Sequence, residues 1–475
     1  LVFERNPVPV AIIAVQNEHE WTCGSETLAD GYLREINRLF RESGLNVPTI
    51  NANNLWQGAE GEIDCWSGDI DMFAMLRELS TARPNQPRIV IDFGQPKPPR
   101  IGEPEPERST VRLAQRRLVE TLAAGGQFCF APFMAAQNPG FWGGTEAIDE
   151  SNIYGADTDT DAPLDVAGAP GRLFHAYRAV ATFARSFGRV LAGLEVHQRR
   201  VTLDPSPALR DGSPLTGYAL EHLQGQQGSV AYVFAEAGLP ENADAGTARI
   251  MLPDGQSLPV PLGKQSAAWV LFGAHLGGRT ELDYSTLCAI GVAGQCFVCY
   301  GPAGAVGAVS INGTPIDVVV PKGRAPEVVQ HESCTIVCLN EQSMPETFLG
   351  DNAVFVGVAG IDRDGEPVPL GPGKSYCIVH GSGEHAGEIE SVSVRKSELD
   401  DTPSAVTTGP WAHGPADDYL DGSSPRYASI DRPLPLTELG SPYGYGWYRL
   451  EFKSGASRKV KIAAPGSGDR LLLAL

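Results

Sequence analysis

Two carboxylates in this chain close runs of apolar residues that read as buried strands. Glu18 ends "PVAIIAVQNE" and Asp92 ends the core of "RIVIDFG". Side chains at the carboxyl ends of parallel strands converge on one face of an α/β unit, which is where such proteins place their sites. A carboxylate pair meeting there suits work at an acetal carbon. One member, held protonated, delivers a proton to a leaving oxygen, while the other stays ionised as nucleophile or base. Asn17, immediately before Glu18, suits a hydrogen bond to a sugar hydroxyl, and Asn51 in the run "VPTINANN" joins it as a substrate contact. Trp66, Phe141 and Trp142 lie near the ends of later runs and offer apolar faces on which a sugar ring stacks. The expected site is therefore Glu18 and Asp92 as the catalytic pair and Asn17, Asn51, Trp66 and Trp142 as substrate contacts, with no metal and no cofactor.

Other residues of suitable type lack the right pattern. Asp157, Asp159 and Asp161 alternate like calcium ligands, yet the sixth position of that loop is not glycine and Gly168 stands where a closing Glu belongs. A solvated loop is the expected reading. Cys296 and Cys299 fall in a strand-like run, where residues three apart point to opposite faces, so zinc is not expected there. The nine cysteines are read mainly as small core residues. His175 sits in a helical pattern and is expected to pack rather than react. No G-x-G-x-x-G follows the first strand run and no G-x-x-x-x-G-K-[ST] occurs, which removes the usual nucleotide-binding readings.

The elements that must carry the two carboxylates are legible from periodicity. Over residues 8–194, five apolar runs alternate with helical patterns such as Tyr32, Leu33, Ile36, Leu39 and Phe40, then Met72, Leu76 and Leu79. Two further patterns follow: Val111, Ala114, Leu118 and Leu122 after the cap candidates Ser109 and Thr110, and Leu173, Tyr177, Val180, Ala184, Phe187 and Leu191. Near-continuous apolar strands between amphipathic helices predict βα units on a parallel sheet, as a (β/α) barrel or an open doubly wound sheet. After about residue 195, short alternating runs are joined by turn signals at Pro253-Asp254-Gly255, Asn312-Gly313 and Asp364-Gly365. These predict an antiparallel β-sandwich domain over 195–325 and a second β-rich domain over 326–396. Asn312-Gly313-Thr314 also matches a glycosylation sequon, but its place between two strand runs predicts a hairpin turn. Residues 397–430, rich in Pro, Gly and Asp, read as a linker or long loop ahead of the aromatic cluster "YGYGWYRLEF" within 397–475.

Composition narrows the partners. The chain has 57 acidic against 37 basic residues and a net charge of −20, which argues against nucleic acid or anionic membrane and is compatible with a neutral or cationic ligand. No run approaches the roughly 18–20 apolar residues of a membrane span.

Several of these stretches resemble glycoside hydrolase family 35, the β-galactosidase family. "AIIAVQNEHEW" with "YLREINRLFRESGLNVPTINAN" is similar to the family's acid/base strand and the unit behind it. "FMAAQNPGFWGG" and "DTDTDAPLDVAGAP" resemble its last barrel strand and the passage that follows, and "LDYSTLCAI" with "CFVCYGPAGAVGAVSING" resembles the β-domain of larger members. "YGYGWYRLEF" looks like the opening of a jelly roll. The resemblance implies that residues 1–194 are strands four to eight of a (β/α)8 TIM barrel, followed by β-sandwich domains and the start of a jelly-roll domain. It implies Glu18 as acid/base, Asn17 as a substrate contact and Asp92 at the nucleophile position, where the family carries Glu. The implied activity is cleavage of a terminal β-linked sugar. The alternative is a protein of the same fold that binds carbohydrate without turning it over. The resemblance further implies that another polypeptide segment supplies strands one to three and the rest of the jelly roll, or that this sequence is a segment of a longer chain. An extracellular or periplasmic setting is the family's expectation.

Overall fold

A computed structural model describes residues 13–16, 26–45, 47–52, 54–55, 60–94, 109–137, 161–195, 201–204, 217–332, 334–394, 417–436, 438–439 and 446–451. The fold is mixed α/β with strands in the majority, and the described residues include six α-helices. The first region runs β1 (Ile13–Gln16), α1 (Glu26–Glu42), β2 (Thr49–Asn51), β3 (Ile63–Asp64), β4 (Trp66–Ser67) and α2 (Met72–Ala82). It continues through β5 (Ile89–Phe93), α3 (Val111–Ala123), β6 (Gln127–Phe130), α4 (Phe174–Ser186) and α5 (Gly188–Ala192). Pairing is parallel and sequential: β1 with β2, β2 with β3, then β4 with β5 and β5 with β6. Only Cys65 separates β3 from β4, so the two short strands are one run that changes neighbour.

The helices form where apolar spacing and capping agree. Met72, Leu76 and Leu79 of α2 are buried at the four- and three-residue spacing of one helix face. Thr110, the second of the two cap candidates, opens α3: its hydroxyl accepts from the backbone N–H of Leu113 at 3.1 Å, satisfying an otherwise orphaned donor. Tyr177, Val180 and Phe183 bury the inner face of α4. The expected apolar face of α1 is less covered, with Tyr32 42% and Leu39 46% exposed.

Beyond β7 (Thr202–Leu203) the chain is β-rich and its pairings are antiparallel except for one parallel ladder. One six-stranded sheet is built from β8 (Ala219–Gly225), β9 (Gly228–Phe234), β12 (Ala267–Gly277), β13 (Thr280–Ser285), β16 (Val306–Ile311) and β17 (Thr314–Val319), in the order β17-β16-β13-β12-β9-β8. The intervening β10 (Thr247–Met251) and β11 (Ser257–Pro261) join β7 in a smaller sheet. A four-stranded sheet orders β14 (Cys288–Ala293), β15 (Cys296–Gly301), β19 (Cys334–Asn340) and β18 (Glu327–His331) as β14-β15-β19-β18. It takes strands from both sides of residue 325, so no linker separates the two β regions there. The cause is the parallel pairing of β15 with β19, which periodicity within either strand does not reveal. The remaining strands, β20 (Thr347–Leu349) to β25 (Ile389–Ser393), form a four-stranded and a two-stranded sheet. Asn312 and Gly313, at φ 50° and 78°, make the two-residue turn between β16 and β17, as their sequence predicts. Of the expected linker, residues 397–416 lie outside the described residues and Asp417–Leu420 is a short helix; of the expected jelly-roll opening, 443–445 and 452 lie outside them and 446–451 form no strand.

Trp269 on β12 is fully buried where the layers meet. Its ring lies 5.2 Å from Phe183 of α4 and 6.0 Å from Tyr300 of β15, and its indole N–H donates to the carbonyl of Ala289 at 2.8 Å. Arginines fasten the parallel region to the β region. Arg112 donates to the carbonyls of Pro240 (3.0 Å) and Ala243 (2.7 Å), and Arg77 pairs with Glu221 at 2.7 Å. Arg178 donates to the carbonyls of Met344, Pro345 and Thr347 at 3.0, 2.9 and 2.7 Å and stacks 3.9 Å from the ring centre of Phe348. Burial lowers its pKa to about 10. Arg178→Met leaves three carbonyls without this donor and should cost about 3 kcal/mol in denaturant titrations. Arg178→Lys should restore little, because an ammonium does not present the planar fork.

Glu341 gives the β region a pH dependence. Burial raises its pKa, ahead of the opposing pull of Lys264, and its Oε2 is buried with no hydrogen-bond partner among the described residues. The folded state holds this proton more tightly than the unfolded chain. Its contribution is therefore full below the unfolded value and is lost as pH rises through the folded one. Glu341→Gln should melt close to wild type near pH 4 and above it near pH 7. A gap that fails to widen across that interval contradicts the assignment.

Candidate functional site

Asp92 stands at the end of β5, and its direction depends on an irregularity in that strand. On one side Trp66 pairs with Val90 and Ser67 with Asp92; on the other Val90 pairs with Phe128 and Phe93 with Phe130. Both neighbours thus meet one extra residue in β5 between Val90 and Phe93. In a regular strand Val90 and Asp92 share a face, whereas Val90 and Phe93 do not. The extra residue reverses this. Val90 and Phe93 both enter the hydrophobic core, Phe93 with its ring 6.0 Å from Tyr177 of α4 and 5.5 Å from Phe130. Asp92 is turned to the opposite face, away from the helices, as bulges beside functional groups commonly do.

There Asp92 meets Ser67, whose hydroxyl donates to its Oδ2 at 3.1 Å. Ser67 is buried and Asp92 partly buried. The amide of Asn54 clamps the backbone of Ser67. Its Oδ1 accepts from Ser67 N–H at 2.7 Å and its Nδ2 donates to Ser67 C=O at 3.2 Å. Across the gap, Gly68 N–H donates to the carbonyl of Asp92 at 3.3 Å. Cys65, fully buried nearby, has its thiol pushed up to about 12 by burial, reinforced by the charges of Asp64 and Asp92. It is a neutral thiol and not a nucleophile. Gly94 turns the chain just beyond β5 at φ 79°, a conformation that glycine adopts at little cost.

Around this centre, Arg117 pairs with Asp69 at 2.9 Å, and Asp161 binds Arg172 (2.8 Å) and the backbone N–H of Ser109 (2.9 Å). Burial, then the charges of Asp69 and Asp161, raise the pKa of Tyr177. Asp161 thus ties the segment ahead of α3 to the segment ahead of α4.

The other expected site residues fall in different places. Asn51 is fully buried and donates to Glu62 Oε2 (3.0 Å) and Asp64 Oδ1 (3.1 Å). Asn37 of α1 also donates to Glu62, and Arg83 at the end of α2 reaches Asp64 Oδ2 at 2.5 Å. Asn51 therefore faces the helix layer and is not brought together with Asp92. Trp66 is partly buried and packs against the hydrophobic core, while its neighbour Ser67 makes the contact to Asp92. Asn17, Glu18 and Trp142 lie outside the described residues. His175 has its pKa lowered by burial, with Arg178 adding to the effect, and its Nδ1 is buried without a partner among the described residues.

Periodicity did not single out Ser67 or Asn54. The one available signal was positional: Ser67 follows Trp66 at the end of the run before α2, and Asn54 follows β2. Among the described residues no group of three or more His, Cys, Asp or Glu side chains is arranged to hold a metal, and no helix is long and apolar enough to cross a membrane. No family model matches the chain, and no curated protein matches it.

Proposed function

We propose that this protein is a glycoside hydrolase of the β-galactosidase-like kind, cleaving a terminal β-linked sugar with two carboxylates. The observation that carries the reading is Asp92: a carboxylate at the carboxyl end of a parallel strand, aimed away from the helices by a bulge and held by a hydroxyl. The sequential parallel order of β1 to β6, with α2 and α3 between successive strands and β-sheet domains after it, supports a (β/α)8 barrel, of which these strands are four to eight.

On this reading Asp92 attacks the anomeric carbon from the face opposite the leaving group while Glu18 protonates the departing oxygen. The bond to that oxygen breaks as the ester bond to Asp92 forms. Water, deprotonated by Glu18, then displaces Asp92 and restores the original anomeric configuration. Asn17 holds a hydroxyl of the sugar and Trp142 stacks on its ring. The family's nucleophile is Glu; Asp92 carries its carboxylate shorter by about one C–C bond.

The test is a panel of 4-nitrophenyl glycosides offered to the purified protein. The β-galactoside should be hydrolysed, with β-galactose as the first-formed product. Saturable sugar binding with no hydrolysis of any member would instead mark a carbohydrate-binding protein.

A further inference from the structure

Ser67 sits at a place where the sheet is running out. β2 ends at Asn51, whose carbonyl accepts from Cys65 N–H at 2.8 Å; that is the last backbone link from β2 to the β3–β4 run. Two residues later, no strand among the described residues flanks Ser67 on that side. The side-chain amide of Asn54 takes the strand's place, engaging both the N–H and the C=O of Ser67. Asn54 does so from the left-handed region at φ 50°, which Asn tolerates better than most residues, and Leu55 follows at φ 68°. On the other side, Gly68 N–H is bonded to the Asp92 carbonyl, so the end of β4 is held from both flanks. What this rigid backbone presents is the Ser67 hydroxyl, buried and 3.1 Å from Asp92 Oδ2.

We infer that Ser67 and Asn54 are positioning residues for the Asp92 carboxylate, Asn54 acting through Ser67. The inference rests on the reading of Asp92 as nucleophile. The terminal torsion of an aspartate is broad, so packing alone leaves the carboxylate plane loosely set. A hydroxyl fixed on one oxygen sets that plane and thus the direction from which a lone pair meets the anomeric carbon. A misplacement of about 1 Å in a reacting group costs about 10²-fold in rate. Residues that act by setting the direction of Asp92 alter the chemical step, so the effect belongs in kcat and not in KM.

The experiment is a double-mutant cycle on hydrolysis of 4-nitrophenyl β-galactoside, with kcat, KM and melting temperature measured for each protein. Ser67→Ala should lower kcat about tenfold or more with KM nearly unchanged, and Ser67→Thr, which keeps the hydroxyl, should recover most of it. Asn54→Gly removes the clamp without straining the left-handed backbone and should also lower kcat. In the Ser67→Ala background the same Asn54→Gly change should have little further effect, because its route to Asp92 is already cut. Unchanged kcat in Ser67→Ala overturns the inference. So do losses that multiply in the double variant, or losses that follow melting temperature and are not recovered by Ser67→Thr. A wild-type protein that hydrolyses none of the substrate overturns the reading of Asp92, and this inference with it.

Discussion

Replacing Glu18 with Gln should lower kcat for 4-nitrophenyl β-galactoside by about 10²- to 10⁴-fold, the usual weight of one general acid/base. Gln matches Glu in shape, so melting temperature should stay near wild type. The loss should depend on the leaving group. A dinitrophenolate departs with little protonation, so the first step survives and the second, which needs Glu18 as base, becomes limiting. Azide needs no base and should then restore turnover, giving the β-galactosyl azide, because it displaces Asp92 from the face that water normally uses. Wild-type rates in Glu18→Gln would remove Glu18 from the mechanism.

The second large effect belongs to Asp92. Asp92→Gly should reduce hydrolysis by at least about 10⁴-fold, as expected when a nucleophile that works as part of a unit is removed. Azide should again rescue, but with the opposite stereochemistry. It now enters the space vacated by the carboxylate, performs the first displacement itself and leaves the α-galactosyl azide. The anomer of the azide product therefore separates the two roles: β in the Glu18 variant, α in the Asp92 variant. The same anomer from both variants would contradict the assignment of Glu18 as acid/base and Asp92 as nucleophile.

How much of this was legible in the sequence follows from which interactions are local. The buried faces of α2, α3 and α4 rest on spacing within one helix, and Met72, Leu76, Leu118 and Tyr177 are buried as their periodicity predicts. The turn at Asn312-Gly313 needs only two residues at positive φ. Pairings between distant segments carry no such local mark. The parallel ladder of Cys296–Gly301 with Cys334–Asn340 runs across residue 325, where the pattern of strand runs and turns places a boundary. The site divides in the same way. That a carboxylate closes a buried strand at Asp92 is visible in "RIVIDFG". That it faces away from Val90 is not, because strict alternation puts residues 90 and 92 on one face, and only the neighbours reveal the extra residue. Asn51 shows the opposite difficulty. Its type and strand-end position suit a ligand, but Glu62 and Asp64 across the strand engage its amide. Ser67 is a common residue at the end of a short strand, and its meaning arises only from what Asn54 and Asp92 do around it.

The central claim is that Asp92 forms a covalent bond to the sugar, and one measurement addresses it directly. 2-Deoxy-2-fluoro-β-galactosyl fluoride reacts readily in the first displacement, and its fluorine slows the second, so a retaining enzyme accumulates the glycosyl ester. Intact mass followed by peptide mapping should find one fluorosugar per chain, on the peptide carrying Asp92, with loss of activity in step with labelling. No adduct, or an adduct on a residue other than Asp92, would contradict the account.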